Sequence, residues 1–312
     1  MPFAFTSSAE ALPTLVAVAT AAGVGATVPA LADCVLRRSR ERYRAWLGSS
    51  LADYCDFWRE QRRLPRKQSH GRERALWAWA RELPRLAADG ALSQSELQQI
   101  VRAPAPVPFA VTPETFRSAP SEDAVEREFS LNPTPGVVAA GGLLLGAVAA
   151  LLSACAENEL VGATGTLFAA ACWLMALVDA RSRTIPAICT VLVTIGSIAW
   201  RTAVGWNGWG GLAASAALGA GTFALIVASN AVAKAIRGRE GIGGGDVRTL
   251  PPLAFALGID GAAAGFLAAA LALAAYLAAR AMTGTFQLSD TIPFGPFMTV
   301  MGVAGMLCAS IP

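Results

Sequence analysis

The sequence predicts an all-α polytopic membrane protein with about eight helical segments and an N-terminal cytoplasmic helical insert. Three observations carry this. Of the 312 residues, 54% are hydrophobic and only 15% charged, with a mean hydropathy of +0.48, too apolar for an ordinary soluble domain. Apolar runs long enough to cross a bilayer recur along the chain. Arginine gathers in a few segments between those runs, as a cytoplasmic-side bias requires.

The first segment is Leu12 to Leu36. Ala30-Leu31-Ala32 has the look of a signal cleavage site, but no basic stretch precedes the run and Arg37, Arg38, Arg40, Arg42 and Arg44 follow it at once. A retained first helix over 1–36 is therefore expected, with its arginines inside. Residues 37–135 form the one sizeable polar region, in which Trp46, Trp58, Trp77 and Trp79 stand among many arginines. Leu76, Trp79, Leu83 and Leu86 recur at helical spacing beside Arg72, Arg74, Arg81 and Arg85. This fits either an amphipathic helix on an anionic membrane face or a small helical domain with a solvated basic face. Nucleic acid is not expected as a partner, since no recognised module accompanies the charge. Ser93-x-x-Glu96 reads as a capping box for a short helix through Val101, and the proline-rich stretch from Pro104 to Pro135 as a linker.

From 136 to 312 the membrane region runs almost unbroken. Gly136 to Ala154 and Val161 to Val178 read as spans, the second delivering Asp179 to the cytoplasmic edge. Pro186 opens the next, to about Val204, with Trp200, Trp206 and Trp209 as an interfacial belt at its far end. Arg201 on that side fits the topology less well. Gly211 to Ala233 returns to the inside, where Lys234, Arg237 and Arg239 lie. Leu250 to Gly258, with Pro251-Pro252, reads as a half-length or broken span, tolerable where it is buried in protein or lines a wet cavity. Ala262 to Ala279 returns to Arg280 inside, and a last span starts near Ile292.

Several chemistries are excluded by residue counts. A single histidine, His70, leaves no basis for a Ser-His-Asp triad or a multi-histidine zinc site. The six cysteines are scattered without any Cys-x-x-Cys and read mostly as small buried hydrophobes. What remains is a pair of aspartates at one membrane edge. Asp246 lies in the glycine run Gly241-Ile242-Gly243-Gly244-Gly245-Asp246-Val247-Arg248, and Asp179 ends another apolar run. Ionisable residues so placed are functional candidates by default. Two carboxylates brought together share a proton and titrate as a unit, and such a pair can take a proton from water while polarising a peptide carbonyl. Glycine beside Asp246 lets an extended substrate approach the carboxyl. Spacing alone leaves other readings open: an interfacial helix cap at Asp179, a flexible loop at the glycines, a Mg²⁺ site, or a proton pathway in a transporter.

At these residues the sequence resembles the prepilin peptidases, the type IV leader peptidase family of Gly-x-Gly-Asp membrane proteases. Asp179-Ala180-Arg181-Ser182-Arg183-Thr184-Ile185-Pro186 is similar to the family's Asp-x-Arg-x-Arg-x-Ile-Pro segment. Gly243-Gly244-Gly245-Asp246-Val247-Arg248 is similar to Gly-x-Gly-Asp-x-Lys, and Ile292-Pro293-Phe294-Gly295-Pro296-Phe297 to the Pro-Phe-Gly-Pro segment that opens the last family helix. The resemblance covers roughly residues 136–312. It implies an inner-membrane aspartyl endopeptidase that cuts the leader from type IV prepilins or pseudopilins on the cytoplasmic side. Asp179 and Asp246 would be the catalytic pair, with Gly243, Gly245, Arg248, Pro186, Phe294, Gly295 and Pro296 around them, and with no metal or cofactor. Membrane lipid and the precursor's leader and apolar helix would be the partners. Ala187 and Arg248 depart from the usual Asn and Lys. The two Cys-x-x-Cys pairs tied to N-methylation in bifunctional members are absent, which counts against methyltransferase activity here. The rival readings are a non-proteolytic assembly scaffold and a cation- or proton-coupled transporter.

Overall fold

A computed structural model of the chain describes residues 8–60, 83, 92, 94–102, 130–131, 134–155, 159–204, 208–237, 241–284 and 292–310. All regular structure among them is helical: α1 (Ser8–Glu60), α2 (Gln94–Arg102), α3 (Pro135–Cys155), α4 (Glu159–Ser182), α5 (Ala187–Ala203), α6 (Gly208–Arg237), α7 (Gly244–Met282) and α8 (Gly295–Ala309). Five stretches are long and apolar enough to span a membrane: Thr14–Glu41, Pro135–Cys155, Glu159–Ser182, Gly210–Ile236 and Gly261–Met282. Two more apolar helices, Ala187–Ala203 and Gly295–Ala309, are shorter. The chain divides into one unit of residues 1–34 and 131–312 and a second of 35–130.

The first helix differs from expectation. It does not end at the arginines but continues to Glu60, because residues 37–47 carry no Gly or Pro and are mostly good helix formers. In the second unit, α2 ends at Arg102, one residue beyond the expected Val101, with Glu96 in its first turn and with Leu97 and Ile100 buried. The Ser93 cap, the Arg/Trp helix apart from the buried Leu83, and most of the proline-rich linker lie outside the described residues.

In the membrane unit, α1 and α3 cross in near contact. A Cβ on Gly25 would lie 2.2 Å from the Gly141 carbonyl oxygen, and one on Gly141 would lie 2.5 Å from that of Gly25. Small residues at such crossings let backbones approach where lipid offers no hydrophobic drive. Asp33, nearly buried, accepts the Leu131 N–H at 2.9 Å and ties the start of the membrane region to α1. On the other side α4 packs on α5, with the Trp200 ring over Gly165 and Gly196 against Phe168. Trp200 is therefore a core residue with no exposed surface, and the expected interfacial belt fails at this position. The reason is its register. Val193, Gly196, Ser197 and Trp200 repeat at helical spacing and are all buried, so they form the inward stripe of α5. The side chains of Trp206 and Trp209 lie outside the described residues. The cysteines also depart from expectation: Cys172 and Cys189 are buried, but Cys34, Cys155 and Cys308 are exposed.

The α7 helix is two arms. Gly258 breaks it with φ 62° and ψ −171°, a conformation open essentially to glycine alone. The contacts reverse direction there. Along the first arm Leu253 meets Gly302 and Leu257 meets Gly305; along the second, Gly261 meets Gly305, Gly265 meets Met301, and the Tyr276 ring lies 5.6 Å from that of Phe297. The arms thus flank α8 as a hairpin; the expected interruption is present at Gly258, in a helix that starts earlier than expected, at Gly244. Pro251 and Pro252 sit inside the first arm, where they leave the carbonyls of Val247 and Arg248 without helical partners, near the arm's polar end. The Arg201 guanidinium, whose place on the far side had no explanation in sequence, lies 3.3 Å from where a Gly258 Cβ would stand, directly against the break.

Candidate active site

The end of α4 places the first aspartate. Asp179 falls in its last turn and is only 4% exposed. The Asp179 carbonyl accepts the Arg183 N–H at 2.8 Å, and Arg183 takes φ 51°. A left-handed residue is the usual end of a helix, but it is normally glycine; an arginine there costs roughly 1–2 kcal/mol. The Ser182 hydroxyl donates to the carbonyls of Val178 and Thr184 and fastens this turn. Pro186 is then the N-cap of α5, extended at φ −63° and ψ 150°, one position before the first helical turn in which it was expected.

The start of α8 meets that end. The Gly295 N–H donates to Asp179 Oδ2 at 2.6 Å, and the Phe294 N–H also donates to this carboxylate. Pro296, in the first turn of α8, offers no N–H of its own, which leaves the Gly295 amide to face the acid. Helix N-termini favour negative charge for this reason. The approach is close: a Cβ on Gly295 would stand 2.7 Å from that of Asp179. Thr299, one turn on, donates to the Cys172 and Gly295 carbonyls and locks α8 against α4.

Asp246 comes in on the first turn of α7. Its N-cap is Gly243, extended at φ −64° and ψ 148°. The carboxyl folds back so that the Gly243 N–H donates to it, the reach-back half of a capping box. Gly245 lies against the first motif, since a Cβ there would be 2.8 Å from the Ile185 Cβ. Thr249 strengthens this junction. It is fully buried, donates to the Gly245 carbonyl at 2.9 Å, and its oxygen is 3.1 Å from that of Thr190 on α5. Burial, and then the charge of Asp179, push the Asp246 carboxyl up from its ordinary 3.8 to about 6, while the Gly243 amide pulls the other way. The two carboxyls are therefore close enough to feel one another.

Of the residues singled out in sequence, Asp179, Asp246, Gly243, Gly245, Gly295, Phe294, Pro186 and Pro296 gather at this junction. Arg248, two residues beyond Asp246 on α7, is exposed and enters none of these contacts. Sequence reading missed Thr190, Thr249, Thr299 and Asn230. The Asn230 side chain accepts the N–H groups of Gly241 and Ile242 and donates to the Ile242 carbonyl. An amide inside an otherwise apolar span was signal enough to single it out.

Residues 166–278 match the type IV leader peptidase family. This segment belongs to that family. Both aspartates and the whole glycine run of the leader-peptidase segment fall inside the match, and the Phe294–Pro296 stretch follows it. Neither the curated proteins nor the solved structures compared with the chain gave a match. That family implies a protease, and five helices among the described residues are long and apolar enough to cross a membrane, as a multi-pass membrane protein requires.

Proposed function

We propose that the chain is an aspartyl endopeptidase of the inner membrane that removes the leader from type IV prepilins or pseudopilins at the cytoplasmic face, with Asp179 and Asp246 as its catalytic pair. One observation carries this reading: three motifs far apart in sequence meet around two carboxyls that sense each other's charge. In the working state the pair holds one proton. The ionised carboxylate takes a proton from a water molecule as that water attacks the scissile carbonyl, and the protonated carboxyl donates to the carbonyl oxygen. Return of a proton to the departing amine then releases leader and mature chain. Arg181, Arg183 and Arg248 share the polar end of the site with the aspartates, which supports a cytoplasmic orientation. The product is expected to leave with an unmethylated N-terminus, because residues 37–135 carry no Cys-x-x-Cys pair.

Each aspartate also caps a helix, so the test must separate chemistry from capping. Asn retains an acceptor oxygen for the Gly295 and Gly243 amides but cannot ionise. Co-expressed with a prepilin, Asp179→Asn and Asp246→Asn should reach the membrane at wild-type level and cut about 10²–10⁴-fold more slowly, as followed by gel shift and mass spectrometry. Normal cleavage by either variant removes the aspartyl mechanism. Failure of the wild type on several prepilins, with solute-dependent flux in vesicles, would favour a transporter.

A further inference from the structure

Resting on the peptidase reading, we propose that Asn230 is a positioning residue that orients the Ile242–Gly243 peptide and, through it, the Asp246 carboxylate. Asn230 lies on α6 near its C-terminal end, half-buried. Its side-chain oxygen accepts the Ile242 N–H at 2.8 Å and the Gly241 N–H at 3.1 Å. Its NH₂ group donates to the Ile242 carbonyl at 3.0 Å. The opposite orientation of the amide would turn NH₂ toward two N–H donors, so the network fixes which end points where.

The decisive bond is the one to the carbonyl. The Ile242 C=O and the Gly243 N–H belong to one planar trans peptide and point in opposite directions from it. Asn230 holds the carbonyl side of that plane, and Asp246 accepts from the amide side. The plane is thus held at both edges, and each bond polarises the next. Glycine at 241, 243, 244 and 245 gives this stretch little stiffness of its own, so its conformation must be imposed from outside. The α6 helix is a firm support, because Gly219 packs under Pro251 and Phe255 on the same arm that carries Asp246. Ala233, one turn from Asn230, lies 3.4 Å from where a Gly241 Cβ would be and seats the loop on the same face.

Asn serves here because it supplies an acceptor and a donor at once. Asp would keep both bonds to the N–H groups and set an anion against the Ile242 carbonyl. Two variants therefore separate anchoring the loop from orienting the peptide. Amide hydrogen exchange of the full-length protein and steady-state cleavage of a prepilin should be measured on wild type, Asn230→Ala, Asn230→Asp and Asp246→Asn. In Asn230→Ala the Gly241 and Ile242 amides should lose protection and kcat should fall about 10²-fold with KM nearly unchanged. In Asn230→Asp those two amides should stay protected, yet kcat should still fall. Wild-type protection in Asn230→Ala overturns the clamp, and wild-type kcat in Asn230→Asp overturns the orienting role. If Asp246→Asn cleaves normally, the aspartyl reading fails instead, and the exchange data still decide whether Asn230 holds the loop.

Discussion

At Asp246 two influences oppose each other on one carboxyl. Burial and the neighbouring charge of Asp179 disfavour ionisation, and the Gly243 amide favours it; the first two win and leave the group at about 6. A carboxyl that holds its proton more tightly in the folded state stabilises the fold fully below its ordinary 3.8 and loses that contribution as pH rises through about 6. The singly protonated pair is depleted over the same interval, so leader removal should slow as pH rises through about 6, as a pH–rate profile would show. Replacing Asp179 with Asn removes one of the two raising causes. The Asp246 carboxyl band, followed by infrared titration, should then move to lower pH; a fixed band would mean that the two groups are not neighbours. Both aspartates could be singled out from the chain as it stands, because a charge at an apolar edge needs a reason. The amide donors that hold them could not, because Gly295 is 116 residues from Asp179 in sequence and backbone N–H groups carry no signature.

Helix ends, more than helix bodies, build this site. The end of α4, the start of α7 and the start of α8 meet with no side chain at Gly245 or Gly295 to separate them. Gly244, between them in role but not in space, has nothing within 4 Å of its Cβ position. The contrast gives a test. Gly245→Ala forces a methyl group to within 2.8 Å of the Ile185 Cβ and should cost about 1–3 kcal/mol by thermal unfolding, with cleavage lost. Gly244→Ala should be neutral or stabilise by about 0.4–1 kcal/mol. Equal effects would mean that the junction is looser than the structure has it. The helix bodies were readable because apolar length marks them. The break at Gly258 was half-readable: Pro251-Pro252 and the short run announced an interruption, but a left-handed glycine looks like any other until its neighbours are known. The Arg201 contact needed the fold itself, since α5 and α7 are joined only in space. Trp200 looks interfacial in sequence because three tryptophans cluster near a span end, but its register with Val193 and Gly196 puts it on the inward stripe of α5.

For the whole molecule, the lengths of the apolar helices fall into two groups. Among the described residues, five stretches are long enough to cross a membrane. Of the elements that adjoin the motifs, α4 belongs to the long group, but three are short: α5 has 17 residues, α8 has 15, and the first arm of α7 stops at Gly258. At 1.5 Å per residue, α5 and α8 reach about 25 Å and about 22 Å, against a hydrocarbon core of about 30 Å. Where helices this short meet lipid, the bilayer dimples or lets water down to them, at a cost that grows with each ångström of mismatch. The protease would therefore work at the bottom of a local depression, and lipid chain length becomes a lever on its rate. Reconstituted into short-chain lipid, the enzyme should cut a prepilin faster than in long-chain lipid at equal protein density. Equal rates in both would mean that the short helices are sheathed by their longer neighbours and never touch the bilayer's thickness at all.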